Sequence, residues 1–183
     1  MDGAMTDQRP LAEDELLDIV DEHDRVVGQA LRAESYARRL RHRCVFVLAR
    51  DPRGRIFVHR RTDRKLVFPS RYDMFVGGVV GAGETYDEAA LREAEEELGV
   101  SGLPAPPCRS SGSCTKPPST AGGRRCMRFG ARCRSAPQEE EVAWHAFLSE
   151  AELAQRLGEW DWVPDGFEAY RRLRAMPSAS GTR

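Results

Sequence analysis

Residues 78–84 read Gly78-Val79-Val80-Gly81-Ala82-Gly83-Glu84, and the chain continues through Thr85 to Arg92-Glu93-Ala94-Glu95-Glu96-Glu97-Leu98-Gly99-Val100. An apolar run, Phe75 to Val80, leads into the glycine-rich stretch. Together they predict a strand and then a loop that can approach a ligand closely. Residues 86–98 predict a helix. Thr85 and Glu88 have the spacing of a capping box, and Gly99 stands where a helix stops. Leu91, Ala94 and Leu98 recur at i, i+3 and i+7, an apolar stripe suited to docking on a sheet. Glu93, Glu96 and Glu97, at i, i+3 and i+4, fall within an arc of about 100° largely on the other side.

Three carboxylates this close repel one another unless a cation intervenes. A hard divalent ion such as Mg²⁺ prefers oxygen ligands and can hold phosphate oxygens on its open side. The competing reading is a solvated acidic face on a surface helix. The full spacing, G-x5-E-x7-R-E-A-x-E-E-x-G-V from Gly78 to Val100, resembles the Nudix box, the signature of Nudix hydrolases. Ala94 is the one departure, standing where a larger aliphatic residue is common. The resemblance implies an α/β fold, an α/β/α sandwich with a mixed sheet. It also implies Mg²⁺- or Mn²⁺-dependent hydrolysis of a small-molecule nucleoside diphosphate derivative or related compound. Carried onto this chain, it makes Glu93, Glu96 and Glu97 the metal ligands and catalytic carboxylates, with Gly78 lending its carbonyl. Glu84 and Arg92 become the pair that holds loop and helix together. Which carboxylate orients the water stays open.

A wider resemblance runs from Leu17 to Arg43, through Phe68-Pro69-Ser70-Arg71-Tyr72-Asp73, and over residues 142–173. It is similar to isopentenyl-diphosphate isomerases and their hydrolase-like relatives. The isomerases carry a catalytic Cys and a metal-binding His where Gly77 and Val79 stand here. Without the thiol, proton transfer at an isoprenoid carbon lacks its acid–base partner. A hydrolase of that branch is therefore expected, ahead of an isomerase. A non-catalytic module binding a nucleotide or nucleic acid is the alternative. His42 reads as a hydrogen-bonded structural residue and Cys44 as a small core residue. Phe68 and Tyr72 read as core packing, with base stacking as the alternative.

Outward from this centre, Leu16–Val20 and the Val26-Val27 pair predict extended segments, and residues 33–41 a short helix. Cys44–Leu48 and Arg55–Arg60 predict a hairpin around the turn Asp51-Pro52-Arg53-Gly54. Val142–Leu148 predicts a strand, 150–157 a helix opened by Ser149, and a last helix runs from Pro164 through Met176. One domain is expected over 15–176, with flexible tails at 1–14 and 177–183. With 183 residues, five Cys and a polar, acidic beginning, the chain predicts a cytoplasmic protein with reduced thiols and no membrane span. The sequence leaves the oligomeric state open.

Residues 106–136 are anomalous. They hold seven Lys/Arg, no Asp or Glu, and no Leu, Ile, Val, Trp or Tyr, although the fold needs core strands after the helix. Cys108, Cys114, Cys126 and Cys133 lack the close pairs of common zinc sites. A basic linker or nucleic-acid tail is one reading. A compensated frameshift is preferred: shifting the frame turns the Cys and Ser codons of this stretch into codons for apolar residues. That reading predicts an irregular, exposed segment and an incomplete sheet.

Overall fold

A computed structural model describes residues 12–65, 67–99, 123–128 and 141–175. Of the predicted tails at 1–14 and 177–183, residues 1–11 and 177–183 lie outside the described residues, and Ala12–Asp14 form one turn of 3-10 helix. The chain then runs β1 Leu16–Val20, β2 Val26–Leu31, α1 Arg32–Ala37, β3 Arg43–Leu48, β4 Ile56–Arg61, β5 Tyr72–Asp73 and α2 Tyr86–Leu98. It continues with β6 Gly123–Arg128, β7 Val142–Leu148, α3 Glu150–Arg156 and α4 Pro164–Ala175. Among the described residues no helix is long and apolar enough to cross a membrane.

Strands β3 and β4 separate two cores by their alternation. Val45, Val47 and Phe57 point to one side, where they bury against Ala89, Ala90, Ala94 and Leu98 of α2. Leu48, Ile56 and Val58 point to the other, against Leu153 of α3 and Ala169 and Tyr170 of α4. Helices thus cover both faces of a mixed set of strands. β1 pairs antiparallel with β2. β4 lies between β5 and β7, antiparallel to both. The α2 face differs from the predicted stripe: Leu91 is only half-buried, and Ala90, Ala94 and Leu98 form the docking line. Two small residues on that line let the helix settle closely on β3.

The run from Phe75 to Val80 is not an unbroken strand. It crosses β3 through isolated bridges, Val76 to Val47 and Val79 to Cys44. The backbone between them breaks the pleat at Gly77, whose φ is +149°. A Cβ there would overlap the Val45 carbonyl oxygen. The ladder survives on either side: Val45 N–H donates to Gly78 O at 2.9 Å and Val47 N–H to Val76 O at 2.8 Å.

The irregularity expected of residues 106–136 fails at Gly123–Arg128. This segment forms β6, parallel to β3 from Arg43–Gly123 to Leu48–Arg128. A ladder is made by backbone groups, so pairing needs no apolar side chains. The rest of that anomalous stretch, and the frameshift reading with it, lies outside the described residues.

Asp73 of β5 is buried beneath α4. Its carboxylate accepts the Phe75 N–H at 3.0 Å, and a Cβ on Gly166 would overlap it. Burial pushes its carboxyl up to about 7, with Arg61 opposing and Asp165 reinforcing the rise. An unfolded Asp ionises near pH 4, so this group costs stability increasingly as pH rises from about 4 to about 7, and a constant amount above. Asp73→Asn is expected to remove that slope. Wild type should lose roughly 2–4 kcal/mol relative to the variant between pH 4 and pH 8, read by urea denaturation at each pH. Parallel curves for the two proteins would refute it.

Candidate active site

The site is built where α2 begins its descent along β3. Thr85 accepts the Glu88 N–H and Glu88 returns a bond to the Thr85 N–H, so the capping box fixes the helix start. Gly99 closes the other end in the left-handed conformation, φ 64°. Rigid ends set the direction of the glutamates between them.

Arg92 ties the helix to the preceding loop. Its Nε donates to Glu84 Oε1 at 2.9 Å and one Nη to Glu84 Oε2 at 3.0 Å, a bidentate pair. The same nitrogen reaches Val79 O at 3.2 Å, and the other Nη donates to Glu93 Oε1 at 2.9 Å. Glu84 in turn accepts the Gly81 N–H at 2.9 Å. Its bonds to Glu84, ahead of the nearby Glu93 charge, raise the Arg92 pKa further above its usual range.

Glu93 rests against Gly78. A Cβ on that glycine would occupy the place of the Glu93 carboxylate. Burial pushes the Glu93 carboxyl up to about 7, against the pull of Arg92. The Gly78 carbonyl accepts Val45 N–H, which leaves one lone pair. Glu97 is the most enclosed of the three, 4% exposed, and lies on the buried side of α2. Among the described residues its Oε2 has no hydrogen-bond partner. Burial, and then the neighbouring Glu93, push its carboxyl well above the usual carboxylate range. Glu96 is the outer member, its side chain 42% exposed and 3.6 Å from Arg92 Nη1.

Among the described residues, no group of three acidic, His or Cys side chains is drawn together into a metal cage. The Glu93 charge acts on Glu97 and the Glu96 charge on Glu93, and both Glu93 and Glu96 lie beside Arg92. The donor set nonetheless suits a hard divalent cation. Among the described residues a buried Glu97 oxygen lacks a partner, Glu93 is a second carboxylate acting on it, and the space for Glu93 depends on Gly78.

Four further residues reach this point, and none stands in the helix motif. His59 of β4 is 2% exposed, with Nε2 4.0 Å from Glu97 Oε2. Burial, then the charges of Arg61, Lys65 and His145, push its imidazole down to about 3, so it is neutral. Arg61 and Lys65 act on Glu97 as its nearby cations, and Glu141 as a further anion. Lys65 pairs with Glu141 at 2.8 Å. Arg61 donates to Val67 O at 3.0 Å, and its Nε is buried without a partner among the described residues. The only sequence signal for His59, Arg61 and Lys65 is the basic run His59-Arg60-Arg61-Thr62-Asp63-Arg64-Lys65 at a strand end.

His42 is buried at 6% exposure, and its Nδ1 lies 2.9 Å from Leu40 O. Cys44 is half-buried rather than in the core. Tyr72 stacks on Trp160, with centroids 4.1 Å apart, and packs on the α4 side of the sheet. Phe68 is half-buried, with the Arg71 guanidinium 5.8 Å over its ring.

A family model described as the NUDIX domain matches residues 40–171. The chain is 61% identical over 181 residues to the Nudix hydrolase SCO1686 of Streptomyces coelicolor, covering 99% of this chain and 97% of that one. It is 36% identical over 173 residues to the Nudix hydrolase YfcD of Escherichia coli, covering 89% and 88% respectively. Among solved structures, DR0079 of Deinococcus radiodurans matches with a TM-score of 0.69 and 29% identity, over 86% of this chain and 98% of that chain.

Proposed function

Given that the chain belongs to the Nudix hydrolase family and is a pyrophosphohydrolase of that family, we propose that it cleaves the diphosphate linkage of a nucleoside diphosphate derivative or a related small molecule, using Mg²⁺ or Mn²⁺ held by Glu93, Glu96 and Glu97. The observation that carries this reading is the Glu97 carboxylate, buried at 4% exposure with the Glu93 carboxylate as a like charge acting on it. A buried carboxylate beside a like charge is destabilising, and such a pair persists where it has a use. Glu93 beside it, set in the space that Gly78 leaves open, supplies a second oxygen donor. The free lone pair of the Gly78 carbonyl is a third, and Glu96 a fourth once its side chain swings from Arg92.

A bound divalent ion would supply the positive charge that phosphate oxygens need as a P–O bond breaks. The chain's own residues do the rest. Arg92 and Glu84 hold loop and helix at a fixed separation. Arg61 and Lys65 present positive charge on the β4 side, where phosphate oxygens can be taken up. A carboxylate of the cluster accepts a proton from the attacking water.

Phosphate-containing products should appear from a panel of nucleoside diphosphate derivatives in the presence of Mg²⁺, and not with EDTA. A folded sample that binds nucleotides but releases nothing at any Mg²⁺ concentration would support a non-catalytic binding module instead.

A further inference from the structure

His59 sits on the central strand β4, with its backbone paired to Asp73 on one side and to His145 on the other. Its ring stacks on Phe57, centroids 5.7 Å apart and planes 28° from parallel. Phe57 is itself wedged by His145 and Phe147, each centroid 5.6 Å away. An imidazole clamped in this way has little rotameric freedom. It presents Nε2 to Glu97 Oε2 at 4.0 Å, the oxygen that lacks a hydrogen bond. Among the described residues His59 Nδ1 is buried and lacks a partner as well.

A neutral imidazole carries one N–H. Placed on Nδ1, that proton would be buried with nothing to accept it. Placed on Nε2, it faces the Glu97 carboxylate. The gap of 4.0 Å is longer than a hydrogen bond. A small rotation of the glutamate side chain would close it. Carboxylates that ligate a metal are themselves held by outer hydrogen bonds, and these fix which oxygen is offered to the ion.

We propose that His59 is a positioning residue for Glu97, donating from Nε2 to one carboxylate oxygen so that the other is directed at a divalent cation. The inference rests on the metal-binding reading of Glu93, Glu96 and Glu97 given above. It concerns His59 alone, which touches neither substrate nor reacting atoms.

The test compares two amides at the same position. Gln carries its side-chain nitrogen about as far as Nε2, whereas Asn reaches only the Nδ1 position. Mn²⁺ is titrated into full-length wild type, His59→Gln and His59→Asn, with free Mn²⁺ followed by electron paramagnetic resonance. His59→Asn should bind Mn²⁺ about 10–100-fold more weakly than wild type, and His59→Gln should stay within a few-fold. A purely structural role would move both variants alike. Should His59→Asn fail to fold, His59→Phe serves in its place, because it keeps the ring and the Phe57 stack but has no donor. Equal Mn²⁺ affinity in wild type, His59→Gln and the donor-less variant would overturn the role of His59 and leave the parent reading standing. No Mn²⁺ uptake by wild type would overturn both.

Discussion

Glu97→Gln is expected to lose about 100- to 10,000-fold in kcat on whichever diphosphate substrate the panel identifies, with a smaller change in KM. The amide keeps the shape of the side chain but offers neither a negative charge to a cation nor a base to a water. The same variant is expected to be at least as stable as wild type in urea denaturation above pH 7. It removes a carboxyl that burial and Glu93 already hold far above its usual range. Below pH 4 that advantage should vanish, because the native carboxyl is then protonated in folded and unfolded chains alike. Activity falling while stability holds or rises separates a group kept for chemistry from one kept for packing. A variant with wild-type kcat would remove Glu97 from the mechanism. A variant that loses activity only because it unfolds would show the same loss in its denaturation midpoint.

The largest effect on stability is expected at Gly77, one residue before the helix motif's first glycine. Its φ of +149° suits glycine alone, and a Cβ would overlap the Val45 carbonyl oxygen. Both the obstacle and the new side chain are fixed to backbone, so neither can yield cheaply. Gly77→Ala is expected to cost about 3 kcal/mol or more, read as a shift in the urea midpoint with unchanged slope. A loss below about 1 kcal/mol would mean that the Phe75–Val80 segment can slide along β3. The same geometry bears on the isomerase reading. A catalytic Cys at this position would need a Cβ where the Val45 carbonyl stands, so this backbone has no room for the thiol. The chain belongs to the Nudix hydrolase family, and the packing around Gly77 leaves no space at that position for a Cys side chain.

Much of the fold was readable because its signals are local. The Thr85–Glu88 capping box, the αL glycine at 99 and the Ser149–Glu152 box are each decided within four residues, and the helices start or stop there. Alternation along Val45-Phe46-Val47-Leu48 and Ile56-Phe57-Val58 likewise determined two strands and their two faces. The exceptions have non-local causes. Phe75–Val80 has strand composition, yet its pleat is broken by the contact between Gly77 and Val45. Gly123–Arg128 has no strand composition, yet β3 offers it a row of backbone partners.

The amino-acid order alone decided that three glutamates, an arginine and a glycine would share one short segment, because helix periodicity sets their angles. Only tertiary packing decided that Glu97 would turn inward while Glu96 stayed half in water, since that depends on which side of α2 meets β3. It also brought His59, Arg61, Lys65 and Glu141 to Glu97 from 32 or more positions away in the chain. No periodicity encodes such a meeting. The antiparallel pairing of β4 with β7, and the docking of α2 across β3, are what create it.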